Sequence, residues 1–408
     1  MPRYEKKESN TNLPIKSKVD SYSSPSGKKV ILVTYPDEFI KNEAIGLVQA
    51  AGYRITDILV QKNLTHQQYG VGNGKAEEIR DLAENQKTQM IIIDERLSSG
   101  QAHNLAKFSH QEVIDRERLI LDIFNERAST TEAKLQVKLA ELKYEIPRAR
   151  EAVRLSLKGE QAGFMGMGEY AVDIKFRALK RQMVLIQKKL EEARRRRQLF
   201  KTSRERLKMP FVSLAGYTSS GKTTLFNRFV SENKEESAKL FTTLTTTTRG
   251  FEPVNGKKVL LSDTVGFISR LPTYMVEAFR STLEELNYAD LILLVLDASE
   301  PLNDVEIKYQ SCRETLDQLH INPVKILCVM NKIDLISNDV MAEKTMIIKD
   351  LPTISISAKT GEGTKKLRSR IVQSVFEEQQ DLSSNNIERQ KILSGSPIRA
   401  VEQNDNAA

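Results

Sequence analysis

The chain changes its hydrophobic rhythm three times. From residue 29, short β-branched apolar runs alternate with amphipathic stretches. Strands are expected at 30–33, 55–60 and 90–94, with helices at 39–51, 75–85 and 98–108. Such alternation predicts a small parallel sheet flanked by helices. The rhythm then becomes helical. Leu121, Ala128, Leu135 and Leu142 recur every seven residues, with Phe124 and Leu139 near the same face. Val172, Phe176, Leu179, Met183, Ile186, Leu190 and Ala193 step by four and three. Both patterns read as seams of long helices, with Pro147 ending or kinking the first. Between them, residues 158–170 (KGEQAGFMGMGEY) are too Gly-rich for a stable helix. An antiparallel hairpin with a flexible tip is the simplest assembly. From 209 to about 378 the alternation returns, with strands near 211–214, 251–254, 259–262, 291–297, 326–330 and 353–356. That predicts a six-stranded doubly wound domain with ligand loops at the strand C-termini. Residues 1–28 and 379–408 are polar and aperiodic, and disorder is expected there.

Composition narrows this picture. A length of 408 residues allows two to three domains. The longest strongly apolar run, 291–296, is far short of the roughly 18 residues of a membrane span. The first ten residues hold no apolar core for a signal peptide. Cys312 and Cys328 are the only cysteines, which fits a reducing compartment, and they and the four histidines offer no metal-ligand spacing. A cytoplasmic protein is expected, and nothing points to an oligomer, so a monomer is too. The net charge of +8 is uneven. Residues 175–208 hold 14 Lys/Arg against 3 Asp/Glu, a net of +11, so the remainder is net −3. The basic character belongs to the second long helix, where Arg194, Arg195, Arg196 and Arg197 continue a basic face. A polyanion contact there is expected, over a plain spacer. No aromatics interleave with the charge, so phosphate contacts to structured RNA are favoured over base stacking.

The candidate chemistry lies in the last domain. Gly216-Tyr217-Thr218-Ser219-Ser220-Gly221-Lys222-Thr223 stands between an apolar strand and an amphipathic helix that begins near Lys222 and continues through Thr224. This is the G-x-x-x-x-G-K-[ST] phosphate loop in its strand-to-helix setting. Its backbone amides can wrap phosphate oxygens, Lys222 can reach the β- and γ-phosphates, and Thr223 can place its hydroxyl on Mg²⁺. Asp263-Thr264-Val265-Gly266 closes a strand about fifty residues later. There a carboxylate can hold a Mg²⁺ water, and the Gly266 amide can approach a γ-phosphate. Asn331-Lys332-Ile333-Asp334 and Ser357-Ala358-Lys359 close the fifth and sixth strands. The Asp334 carboxylate can accept from guanine N1–H and the 2-amino group. Adenine lacks that donor pair and would leave Asp334 desolvated and unpaired. Asn331 would tie its loop to the phosphate loop, and the Ala358 N–H would face guanine O6. Residues 242–248 hold six threonines in seven, one of which should complete the Mg²⁺ shell; spacing does not choose among them. Phe267 stands where many GTPases carry a water-orienting Gln, so slow intrinsic hydrolysis is expected. A second Gly-rich stretch, 70–75, follows the second strand of its unit, where a dinucleotide fingerprint would follow the first; a tight turn is the better reading.

These residues resemble the HflX family of ribosome-associated GTPases. The carriers are GYTSSGKTTLFN (216–227), LFTTLTTTTRG (240–250), DTVGFISRLPTYMVEAFRSTLEE (263–285), NKID and SAKTGEG, with NGKAEEI (73–79), the run at 113–148 and GMGEY (166–170) before them. The similarity spans about 30–375. It implies an α/β fold in three parts: an N-terminal α/β subdomain (29–112), a helical hairpin (113–208) with a Gly-rich tip, and a P-loop GTPase domain (209–378). It implies GTP hydrolysis to GDP with Mg²⁺, binding of the large ribosomal subunit and its RNA, and a role in splitting or rescuing stalled ribosomes. By the resemblance, Lys222, Thr243, Thr247 and Gly266 act on the transferred phosphoryl group, and Thr243 joins Thr223 and Asp263 at the metal. Three departures stand out. Ser219 and Ser220 replace the family's Asn and Ala, which argues against potassium activation. Thr245-Thr246 replaces its Asp-Pro, and 168–173 keeps its Gly-Glu-Thr-Gln-Leu-Glu only in part.

Two other readings remain open on the sequence. One is a nucleotide-gated RNA-binding or anti-association factor in which hydrolysis is incidental. The other is an ATP-dependent RNA remodeller with loose base selection.

Overall fold

The computed structural model describes residues 27–159, 167–206, 209–231, 240–241, 246–254 and 256–377. The polar ends expected to be disordered lie almost wholly outside these residues, as does most of the Gly-rich tip and Thr243.

The first unit is β1 (Lys29–Thr34), α1 (Glu38–Ala50), β2 (Arg54–Val60), α2 (Asn73–Gln86), β3 (Met90–Ile93), α3 (Ser99–Ser109) and β4 (Glu112–Asp115). All four strands pair in parallel, in the order β2-β1-β3-β4. Val30, Leu32, Met90 and Ile92 face α1; Ile31, Val33, Ile91 and Ile93 face the opposite core. Local chemistry sets the helix starts. Asp37 accepts from Ile40 N at 3.0 Å to cap α1, and Ser98 and Gln101 form a capping box on α3. The Gly-rich stretch at 70–75 begins at a tight turn, closed by backbone hydrogen bonds exchanged between His66 and Gly70, and its last three residues open α2. Strand β4 carries the sheet past the expected boundary at 112. Its four residues are too short to show a period.

The expected first long helix is two helices, α4 (Arg116–Arg127) and α5 (Thr131–Gly159). The heptad leucines are buried or half-buried on both. The chain breaks between them because the Thr130 hydroxyl accepts from Ala133 N at 3.1 Å, a capping bond that competes with helix continuation. Pro147 does not end α5. The turn around it is held from outside: Arg148 pairs with Asp115 at 2.5 Å and donates to Leu97 O at 2.8 Å. Helix α6 (Met167–Arg206) includes 167–170, which the glycine content alone places in the loop. It packs along α5 in the opposite sense: Arg150 lies over Phe176, while Ile186 and Leu190 join the core of Val137 and Ala140.

The last unit contains β5 (Phe211–Gly216), α7 (Lys222–Val230), β6 (Thr247–Phe251), β7 (Val259–Asp263), α8 (Thr273–Ala278), α9 (Arg280–Asn287), β8 (Leu291–Asp297), α10 (Leu302–Gln318), β9 (Ile326–Asn331), α11 (Asn338–Thr345), β10 (Thr353–Ser355) and α12 (Thr364–Val372). Its order is β10-β9-β8-β5-β7-β6, parallel except for edge strand β6. That strand lies at 247–251, upstream of the expected 251–254. β-Branched Thr247 and Thr248 enter it, and Pro253 lacks the N–H that further pairing needs.

One core runs through all three units. The Phe124 ring of α4 meets Phe241 at 4.8 Å and Phe279 at 4.7 Å, both edge-on. Beside it lies a buried charge cluster. Arg116 pairs with Glu43 at 2.5 Å and Asp94 at 2.6 Å, all three nearly inaccessible to water. Burial works to raise the Glu43 carboxyl, but Arg116 and the hydrogen bonds from Ser269 and Tyr217 outweigh it and hold the group below its usual range. Arg116→Met would leave two buried carboxylates facing each other. It should cost about 3–5 kcal/mol of stability, read as a lowered denaturation midpoint at unchanged m-value.

Candidate functional site

Four loops leave the C-terminal edge of the six-stranded sheet and converge. The first must turn sharply. Gly216 ends β5 at φ +140°, and a Cβ there would lie 2.2 Å from Val295 O of β8. Gly221 has φ +94°, and its Cβ would lie 2.2 Å from Asn331 Nδ2. Between them Tyr217, Thr218 and Ser220 are buried, while exposed Ser219 adopts φ +62°. No side chain caps α7, so its first turn presents backbone amides and a positive dipole end to an anion. The buried Thr218 Oγ1 and Ser220 Oγ have no hydrogen-bond partner among the described residues, which leaves both able to bond a ligand.

Lys222 reaches back under this loop. Its Nζ donates to Gly216 O at 3.0 Å and Tyr217 O at 2.7 Å, leaving one of three donors for a phosphate. Burial pushes the ammonium down to about 8, against the opposing pull of Asp263. Thr223 Oγ1 stands 3.0 Å from Asp263 Oδ2. Two hard oxygens beside a phosphate loop fit Mg²⁺, which takes one or two protein ligands and keeps its waters. Thr224 lies half-buried in the same turn.

The second loop continues from Asp263. The Thr264 hydroxyl turns into the sheet and donates to Leu214 O at 2.6 Å, Val265 is buried, and Gly266 abuts the phosphate loop. Phe267 is buried and pairs by its backbone: its N donates to Gly216 O at 3.0 Å, and its O accepts from Thr218 N at 2.8 Å. Thr247 lies opposite Asp263 in the β6–β7 ladder. Thr246, where the HflX pattern has Pro, donates its hydroxyl to Glu285 at 2.8 Å, and Ser262 donates to the other oxygen of that carboxylate at 2.8 Å.

Asn331 staples three loops together. Its Nδ2 donates to Ser220 O at 2.9 Å, and its Oδ1 accepts from Ala358 N at 2.8 Å. The Ala358 N–H expected for guanine O6 is therefore engaged by Asn331. Lys332, at φ +67°, extends its Nζ to the Asp297 carboxylate, and Asp334 lies exposed in the turn Ile333–Leu335. Ser357 Oγ accepts from Thr360 N at 3.0 Å, and Arg228 of α7 donates to the carbonyls of Ala358 and exposed Lys359.

Several contacts had no counterpart in the sequence reading. The Tyr217 side chain leaves the phosphate loop for the first unit, where it donates to Glu43. Asp297 and Arg228 position the base loops, and Glu285 ties β6 and β7 to α9. The only advance signal was the length of the 263–285 motif, since each of these contacts joins residues far apart in sequence.

Two outcomes test the geometry. Only the protonated Lys222 attracts phosphate, so binding must take up a proton once the pH passes about 8. GDP affinity should be flat below that point and fall about tenfold per unit from there toward the ordinary lysine range, as titration calorimetry at pH 7, 8 and 9 would show. Asn331→Ala removes both staples and should weaken GDP by about 1–3 kcal/mol, roughly 5- to 150-fold, in the same titration.

Comparison with known proteins places this geometry. Residues 40–125 match the family profile described as GTP-binding GTPase N-terminal, residues 127–204 the GTP-binding GTPase Middle Region, and residues 211–332 the 50S ribosome-binding GTPase. The chain is 41% identical over 324 residues to the GTPase HflX of Thermococcus kodakarensis, covering 77% of this chain and 73% of that protein. It is 36% identical to the GTPase HflX of Escherichia coli, covering 79% and 75%. The crystal structure of a GTP-binding protein from Sulfolobus solfataricus in complex with GDP aligns at 28% identity and TM-score 0.48, covering 85% of this chain and 98% of that one. At 41% identity to a GTPase HflX across most of both chains, and with all three matching profiles in order, the chain belongs to the HflX family of GTPases, enzymes that hydrolyse GTP.

Proposed function

We propose that this GTPase binds the large ribosomal subunit through the α5–α6 pair and uses GTP to split or rescue stalled ribosomes. The one-sided charge of α6 carries the reading. Met183, Ile186 and Leu190 turn toward α5, while Lys180, Lys188, Lys189, Arg194, Arg195 and Arg196 are exposed. Near the arginine run, Glu191 approaches Arg194 at 3.9 Å and Arg195 at 3.8 Å, too loosely and too exposed to cancel much charge. The Arg197 side chain lies outside the described residues. A cationic helix face of this kind suits an RNA backbone. The profile matching 211–332 is described as a 50S ribosome-binding GTPase.

In this reading Gly216, Gly221, Lys222 and Thr223 hold the phosphates, Thr223 and Asp263 hold Mg²⁺, and Asp334 selects guanine. Bound Mg²⁺ would neutralise charge developing on the β- and γ-oxygens. Buried Phe267 offers nothing to orient an attacking water, so the free protein turns over slowly and a partner must order the switches. Phe267 also favours a second reading, a nucleotide-gated RNA-binding or anti-association factor in which hydrolysis is incidental.

GTP turnover should be low alone, raised by ribosomes and nearly abolished by Lys222→Ala. A rate indifferent to ribosomes across salt concentrations would remove the ribosomal partner. Repeated ribosome splitting with a non-hydrolysable GTP analogue would instead favour the binding factor. Replacing residues 194–197 with Ala should weaken ribosome co-sedimentation and lower its logarithmic salt slope by up to about three, with nucleotide affinity unchanged.

A further inference from the structure

Strand β6 has little burial to hold it in place. It pairs on one side only, with β7, and runs against the other strands. Thr248, Arg249 and Gly250 are exposed, and of its five residues only Phe251, at the far end, is buried in a core. Elements with few buried contacts open first, and they open from their ends. Yet the first pair of this ladder sets Thr247 opposite Asp263, the carboxylate that stands 3.0 Å from Thr223 Oγ1. The metal side of the site therefore borders the end of β6 that burial holds least.

Glu285 supplies a hold. It stands on α9 beside Leu283 and Leu286, which are buried and fix the helix to the core. One carboxylate oxygen accepts from the Thr246 hydroxyl at 2.8 Å, and the other accepts from the Ser262 hydroxyl at 2.8 Å. Thr246 is the residue before β6. Ser262 is the residue before Asp263 and has no exposure to water. The contacts close a ring. It runs from Asp263 to Ser262 along β7, through Glu285 to Thr246 by hydrogen bonds, on to Thr247 along the chain, and back to Asp263 across the ladder. Bonds to an ionised acceptor are stronger than bonds between neutral groups, so one carboxylate can fix both hydroxyls.

Position 246 has a second chemical solution. The HflX pattern places Pro there. A pyrrolidine ring fixes φ and removes backbone freedom without any partner. Threonine keeps that freedom unless its side chain is held. In this chain the bond to Glu285 takes the place of the ring as the restraint on the strand end.

We propose that Glu285 is a positioning residue for GTP hydrolysis, holding Thr247 against Asp263 through the hydroxyls of Thr246 and Ser262. It acts on the strand end rather than on the nucleotide. The proposal rests on the nucleotide site and is independent of the ribosomal reading.

Single-turnover hydrolysis of radiolabelled GTP is measured with the full chain in the absence of ribosomes. The variants are Glu285→Ala, Thr246→Val, Thr246→Ser and Thr246→Pro, and Glu285→Ala combined with Thr246→Val or with Thr246→Pro. GDP affinity and thermal melting are followed for each. Glu285→Ala should slow hydrolysis about five- to tenfold, with GDP affinity held within about twofold of the parent. Thr246→Val keeps the branched shape without the hydroxyl and should slow hydrolysis to a similar extent, and the double variant should be no slower than either single one. Thr246→Ser keeps the hydroxyl and should keep most of the rate. Once Thr246→Pro is present, adding Glu285→Ala should cost less than about twofold, because the ring restrains the strand end unaided. The proposal is overturned if Glu285→Ala leaves hydrolysis unchanged, adds to Thr246→Val, or slows hydrolysis equally with and without the proline substitution. Loss of GDP binding in Glu285→Ala would make the residue a general support of the fold and overturn it too, whereas a parent chain that binds no GDP would overturn the reading of the nucleotide site itself.

Discussion

Charge taken out of water must be answered by opposite charge at close range, and this protein meets that demand at one junction. Arg116 stands between Glu43 and Asp94 with almost no access to solvent. Each carboxylate also accepts hydrogen bonds from elsewhere, Glu43 from Tyr217 and Ser269, Asp94 from Thr34 and Arg270. Tyr217 belongs to the phosphate loop, and Ser269 and Arg270 follow the second phosphate-facing loop. A cluster rooted in the first sheet therefore sets where two nucleotide loops of the second sheet lie. Such a cluster adds little net stability relative to apolar packing, but it tolerates few alternative geometries.

The nucleotide site itself is built mostly from backbone. Its amides and carbonyls are aimed by two glycines that no residue with a Cβ could replace, Gly216 against Val295 and Gly221 against Asn331. Side chains enter chiefly as ties. Asn331 binds loops to each other, Arg228 anchors the carbonyls after β10, and Asp297 receives Lys332. Lys222, held by two carbonyls beneath the loop, brings the main positive charge in a pocket otherwise made of dipoles.

Much of this was legible beforehand, for reasons that differ by residue. The strands at β1, β3, β5, β8 and β9 announce themselves because buried parallel strands are continuous apolar runs. The phosphate loop does so because its chemistry permits few residue types. Strand β4 was lost because Glu112–Asp115 has two apolar residues and no period. The seam through Leu121 and Ala128 is real as a buried stripe, yet it crosses a break made by the Thr130 hydroxyl, which hydrophobic spacing cannot register. The Ala358 amide was assigned to the base because nothing local says that Asn331 claims it. Glu43, Asp94 and Arg116 look like ordinary surface charges of amphipathic helices and strand ends. Only the packing of two sheets turns them inward.

The ring of Phe124 touches Phe241, which precedes the threonine-rich loop, and Phe279, at the joint between α8 and α9. An aromatic edge pressed between two others transmits displacement as a gear tooth does. When either neighbour rotates, the shared ring must yield, and the far side loses its contact. The segment leading into the threonine-rich loop and the α8–α9 joint are thus geared through one ring of the first unit.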